Sequence, residues 1–65
     1  ELLALNEALE ELAARDREAA ELVKLRFFVG LSHQEAADIL DLSRSAADRT
    51  WVFAKAFLAT ILKRS

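Results

Sequence analysis

At 65 residues the chain has room for one small domain, near the size at which a single core only just offsets the entropy of ordering the backbone. Hydrophobic residues make up 54% of it, with one Gly, no Pro and no Cys. Local preference is therefore helical almost throughout and loops must be short, while no disulfide can reinforce the fold and the lone His33 lacks a second His or Cys with which to share a metal. The formal net charge of −2 conceals a split: residues 1–41 hold ten acids and four bases, and residues 42–65 hold five bases and one acid, so an acid-rich front repels phosphate and a basic last helix can approach it.

Leu2, Leu5, Leu9 and Leu12 recur at three and four residues with Glu7, Glu10 and Glu11 between them, the stripe of an amphipathic helix over about residues 2–14. Asp16 is placed to cap the next helix, with Glu18 in the first turn suiting the positive end of the dipole. That second helix, about residues 17–29, is apolar on most sides through Ala19, Leu22, Val23, Leu25, Phe27, Phe28 and Val29, and Gly30 supplies the left-handed residue that stops it. Phe27 and Phe28 are adjacent and must point in different directions, so one of them is expected to face a partner.

Ser32 followed by Glu35 predicts a capping box for a short third helix, about residues 32–40, which buries Ala36 or Ala37 and Leu40. Asp41 and Leu42 make a tight turn, and Ser43 caps a fourth helix running over about residues 43–63. Leu31 and Leu42 each precede a cap and Ala36 and Ala47 stand four residues past those caps, which fits a hydrophobic staple at both places. The predicted fold is all-α: a compact four-helix domain containing a helix-turn-helix from Leu31 to Leu58, winged-helix-like or homeodomain-like but without a wing.

On the fourth helix, an advance of 100° per residue places Ala47, Trp51, Ala54, Leu58 and Ile61 on an inner side and Ser45, Asp48, Arg49, Val52, Ala56 and Lys63 on an outer one. A recognition helix enters the major groove with its N-terminal turns. Ser45, Asp48, Arg49 and Val52 are thus the candidate base-facing residues: Arg49 can fork onto guanine, Asp48 can accept from the cytosine amino group or orient Arg49, and Val52 can meet a thymine methyl. Arg44 and Lys55 suit phosphates. Trp51 and Phe57 are expected in the core, with Phe53 on the flank. His33 reads as a solvated first-turn residue, too isolated for catalysis.

No nucleophile with a base, no paired inward carboxylates and no Gly-rich phosphate loop occur, so an enzyme is not expected, nor a cofactor or small-molecule ligand. No apolar run reaches the roughly 18 residues of a membrane span and no basic leader opens the chain. A soluble cytoplasmic protein without a membrane partner is the expectation.

The segments LNEALEELAARD, AAELVKLRFFVGLSHQEAADIL and LSRSAADRTWVFAKAFL together resemble region four, the C-terminal helix-turn-helix domain of bacterial sigma factors, especially of the extracytoplasmic-function (ECF) type. The resemblance covers nearly the whole chain. It implies a domain of transcription initiation whose last two helices read the minus-thirty-five promoter element, which docks on the β flap of RNA polymerase, and which an anti-sigma factor can cover. By position it assigns Arg44, Ser45, Asp48, Arg49 and Val52 to the promoter element and His33 and Gln34 to its phosphates. Three positions depart from the usual pattern: Asp41 stands where Gly is common, Ala47 where Val or Ile is, and Asp48 where a base is. Two other readings fit the layout, the DNA-binding domain of a LuxR-type response regulator and a helical protein-interaction module.

Overall fold

The computed structural model describes residues 2–64. Four α-helices follow in order, α1 (Leu2–Arg15), α2 (Arg17–Lys24), α3 (His33–Ile39) and α4 (Arg44–Arg64), with a π-helical turn, Leu25–Val29, continuing α2. The all-α expectation holds, and each helix lies within a residue or two of its predicted span except the second. In place of one α-helix over 17–29, the chain changes to the wider turn at Leu25, where the Leu25 carbonyl accepts from the Gly30 and Leu31 N–H groups. Gly30, at φ 90°, makes this closure without the steric cost that a Cβ brings in the left-handed region.

The predicted caps form. Asp16, in extended conformation, accepts from the Ala19 N–H at 3.1 Å and leaves a single residue between α1 and α2. Ser32 Oγ accepts from the Glu35 N–H at 3.1 Å while Glu35 Oε1 accepts from the Ser32 N–H at 2.9 Å, completing the box. Ser43 Oγ accepts from the Ala46 N–H at 3.1 Å at the start of α4. Between α3 and α4, Leu42 N–H reaches the Ala37 carbonyl and Asp41 N–H the Asp38 carbonyl, the paired bonds of a Schellman closure, with Asp41 left-handed at φ 57°. The short polar side chain of Asp tolerates that conformation better than most residues do.

The core lies where α1, α2 and α4 meet, around Ala8, Leu9, Leu12, Ala19, Ala20, Val23, Ala54 and Leu58, with Leu5, Trp51, Phe57 and Ile61 packed against it. The Leu5, Leu9 and Leu12 stripe therefore faces inward as predicted; the side chain of Leu2 lies outside the described residues. Alanine at the contact points lets backbones approach closely, and the fully buried Leu12 and Leu22 each contribute about 1.5–3 kcal/mol by leaving water. The inner side predicted for α4 is buried or half-buried and the outer side exposed along its length. In α3 both Ala36 and Ala37 are buried, whereas Leu40, expected to be buried, is half-exposed because it ends the helix at the turn. Phe27 and Phe28, on the π turn, are both exposed, at 67% and 55%, although the Phe27 ring lies 5.8 Å from that of Trp51.

The two left-handed residues differ in what they tolerate. Gly30→Ala is expected to cost about 1 kcal/mol, while Asp41→Gly is neutral or stabilising by about 0.5 kcal/mol; urea titration of both variants checks the opposite signs. The capping box also ties stability to pH. The Ser32 N–H, and secondarily its hydroxyl, hold the Glu35 carboxyl below its ordinary value of 4.5. With the folded value below the unfolded one, the contribution is full above the unfolded value and is lost as pH falls through the folded one. Unfolding free energy followed from about pH 7 to about pH 3 should therefore fall more steeply for the parent than for Glu35→Gln.

Candidate nucleic-acid interface

The helix-turn-helix is held from behind. α3 packs on α4 and on the π turn, with Ala36, Ala37 and Ala47 all buried, so the two helices cross at close quarters. Ala47, where a larger β-branched residue is usual in the resembled pattern, is fully covered. α4 has 21 residues and is about 31 Å long, close to the 33 Å long axis of the molecule. Its C-terminal half lies in the three-helix core and its N-terminal turns stand out beside α3.

Those first turns expose Arg44, Ser45, Asp48, Arg49, Val52 and Phe53. The four predicted base-facing residues thus share one surface. Asp48, Arg49, Val52 and Phe53 line a shallow, largely apolar depression there, and Val52 is 67% exposed. Phe53 tilts against Phe57 at 5.8 Å between ring centroids yet remains exposed, so it belongs to this surface more than to the core. Lys55 is also exposed. Ion pairs among the described residues join Lys24 to Glu21 and Arg64 to Glu11, and Asp48 meets His33, leaving the charges of Arg44, Arg49 and Lys55 uncommitted to any described acid.

α3 contributes differently from expectation. Gln34, exposed, donates from Nε2 to Asp38 Oδ1 at 2.9 Å. His33 is not a solvated first-turn residue: its side chain is only 20% exposed, and its Nε2 lies 2.8 Å from Asp48 Oδ1. The imidazole stands edge-on to Trp51 at 6.3 Å. Trp51 also receives the Arg26 guanidinium over its ring at 4.1 Å and the Phe27 ring at 5.8 Å. Arg26 Nε and His33 Nδ1 are buried without a hydrogen-bond partner.

Sequence reasoning missed Arg26 and the His33–Asp48 contact. The two partners of that contact are 15 residues apart, beyond the reach of any local spacing rule, and Arg26 gave no signal beyond its place on a mostly apolar helix. Among the described residues no group of three His, Cys, Asp or Glu side chains is placed to hold a metal ion, and no helix is long and apolar enough to cross a membrane.

Comparison with known families adds the remaining constraint. The ECF sigma factor family matches residues 1–64. Neither a curated protein nor a solved structure matches the chain. The family is one of transcription regulators rather than catalysts, and a match of this extent sets aside the response-regulator reading of the same helical layout. With an all-α helix-turn-helix fold and a family match over all but the last residue, the chain belongs to the ECF sigma factor family, whose members direct transcription initiation.

Proposed function

We propose that the chain is region four of its sigma factor, a domain that places the N-terminal turns of α4 in the major groove of the minus-thirty-five promoter element and holds RNA polymerase through a separate surface. The observation that carries this reading is the exposed start of α4, where Arg49, with its guanidinium uncommitted, stands beside an apolar depression and between Arg44 and Lys55. Ser45, Arg49 and Val52 face base edges, while Asp48, on the same surface, is engaged by His33. Arg49 forks onto guanine O6 and N7, and Val52, with the exposed edge of Phe53, meets a thymine methyl. Arg44, Gln34 and Lys55 set the register on the phosphates.

The protein-binding side is the strip Phe27, Phe28 and Val29, with exposures of 67%, 55% and 63%. Three consecutive exposed apolar residues are costly to a monomer unless a partner covers them. Phe28 also lines a depression with Leu9, Ala13 and Lys24 at the α1–α2 junction, so the strip continues into a groove able to receive a segment of the polymerase β flap. An anti-sigma factor reaching the same strip would compete with it.

Binding to a promoter-like duplex across a salt series tests the DNA reading. Phosphate contacts by two cations, Arg44 and Lys55, predict a slope of log K against log salt of about −2. Arg49→Ala should lose about 1–3 kcal/mol on the preferred sequence and far less on a random one. Affinity indifferent to salt, or equal losses on every sequence, would remove α4 as the reader. Phe28→Ser should leave DNA binding intact and weaken capture by the isolated β flap several-fold.

A further inference from the structure

Asp48 is the single acid in residues 42–65, and it stands in the middle of the surface that α4 offers. A carboxylate there has two effects on DNA: it repels phosphate, and it accepts from the amino group of cytosine. Which of these it exerts depends on where its oxygens are held. Oδ1 lies 2.8 Å from His33 Nε2, and since an ionised carboxylate only accepts, Nε2 is the donor. The donor itself is fixed, because the imidazole is mostly buried and packs edge-on to Trp51, whose ring is in turn covered by Arg26 and Phe27. Arg49 has no comparable hold on Asp48, as consecutive helical residues do not face each other.

We propose that His33 is a positioning residue that sets the base preference of α4. By drawing the Asp48 carboxylate toward α3, it leaves Arg49 as the group that reads, with guanine as the favoured base, and withholds Asp48 from cytosine and from phosphate. The inference rests on α4 being the recognition helix. A contact that only fastens α3 to α4 would, when removed, weaken binding to all sequences alike; a positioning contact changes which sequence is preferred.

Selection from a pool of duplexes with a randomised centre, carried out with the chain and its variants, separates the two. The parent should select guanine opposite Arg49. His33→Ala should acquire a preference for cytosine at the neighbouring pair, shifting relative affinity on the order of tenfold, whereas His33→Gln, which keeps an amide donor near the Nε2 position, should select as the parent does. Adding Asp48→Ala to His33→Ala should restore the parental preference, because the released acceptor is gone. Circular dichroism accompanies each variant. Should His33→Ala not fold, Asp48→Ala alone decides, since an acid held away from the bases can be removed without changing the selected sequence. The proposal is overturned if His33→Ala selects the parental sequence, or if Asp48→Ala loses a base preference that the parent has. Salt-dependent binding that needs Arg49 would still stand in either case; a parent that binds no duplex in a salt-dependent way overturns both this inference and the reading of α4.

Discussion

Close contact between small side chains places α4, and the position of α4 decides what the chain can present. Ala54 sits in one cluster with Ala8, Ala19 and Ala20, and near its other end Ala47 is buried as Ala36 and Ala37 are. Alanine brings helix axes to the short end of the usual 8–10 Å range, and it restricts the crossing geometry because no long side chain can adjust to fill a gap. Leu9, Leu12, Leu22 and Leu58 are the large buried side chains, but the alanines fix the approach. α4 contains no Gly or Pro, so it is stiff, and the angle set in the core by its C-terminal half is carried to the exposed turns of its N-terminal half.

A second constraint is the π turn. One extra residue in the loop from Leu25 to Gly30 re-aims the chain just before α3, and such turns are found mostly where function needs a side chain redirected. Here the redirection has two products. Arg26 is laid over Trp51, and Phe27, Phe28 and Val29 are turned to solvent. The buried nitrogens without partners, Arg26 Nε and His33 Nδ1, belong to two of the three side chains set against Trp51. A polar deficit is thus concentrated where α3, α4 and the π turn meet, offset in part by cation–π attraction to the indole. The three-helix core shows no such deficit among its described side chains.

What the sequence made legible follows from the range of the physics involved. Caps at Asp16, Ser32 and Ser43 and the stop at Gly30 depend on a few neighbouring residues, and each formed as read. The inner and outer sides of α4 follow from helical period alone, and Trp51, Ala54 and Leu58 fell on the covered side. The turn at Asp41 and Leu42 was read where it lies, and its left-handed residue, Asp41, stands where the resembled pattern has Gly. The change of helical pitch at Leu25 was not, since Leu-Arg-Phe-Phe-Val has no residue that distinguishes an α from a π continuation. His33 was misread for a similar reason: its environment is made by Trp51 and Asp48, which reach it only through tertiary packing. On the candidate interface, membership of the surface was legible, but the state of each group on it was not.

Electrostatics bears on how such a surface can work. Arg44, Arg49 and Lys55 are the bases on the exposed part of α4 nearest its start, and the chain as a whole carries −2. With two of them on phosphates, few counterions are released, so sequence-independent attraction to DNA is weak and falls to little at physiological salt. The acids of α1 and α2, among them Glu7, Glu10, Glu11, Glu18 and Glu21, add long-range repulsion to any duplex that approaches from their side. On the proposed reading, this weakness is compatible with function only if a second contact raises the effective concentration of α4 at the promoter, which tethering through polymerase does without any new contact to DNA. A domain of this kind gains selectivity from the arrangement, because little affinity comes from the backbone and the difference between sequences rests on a few groups, Arg49 and whatever holds Asp48 foremost among them.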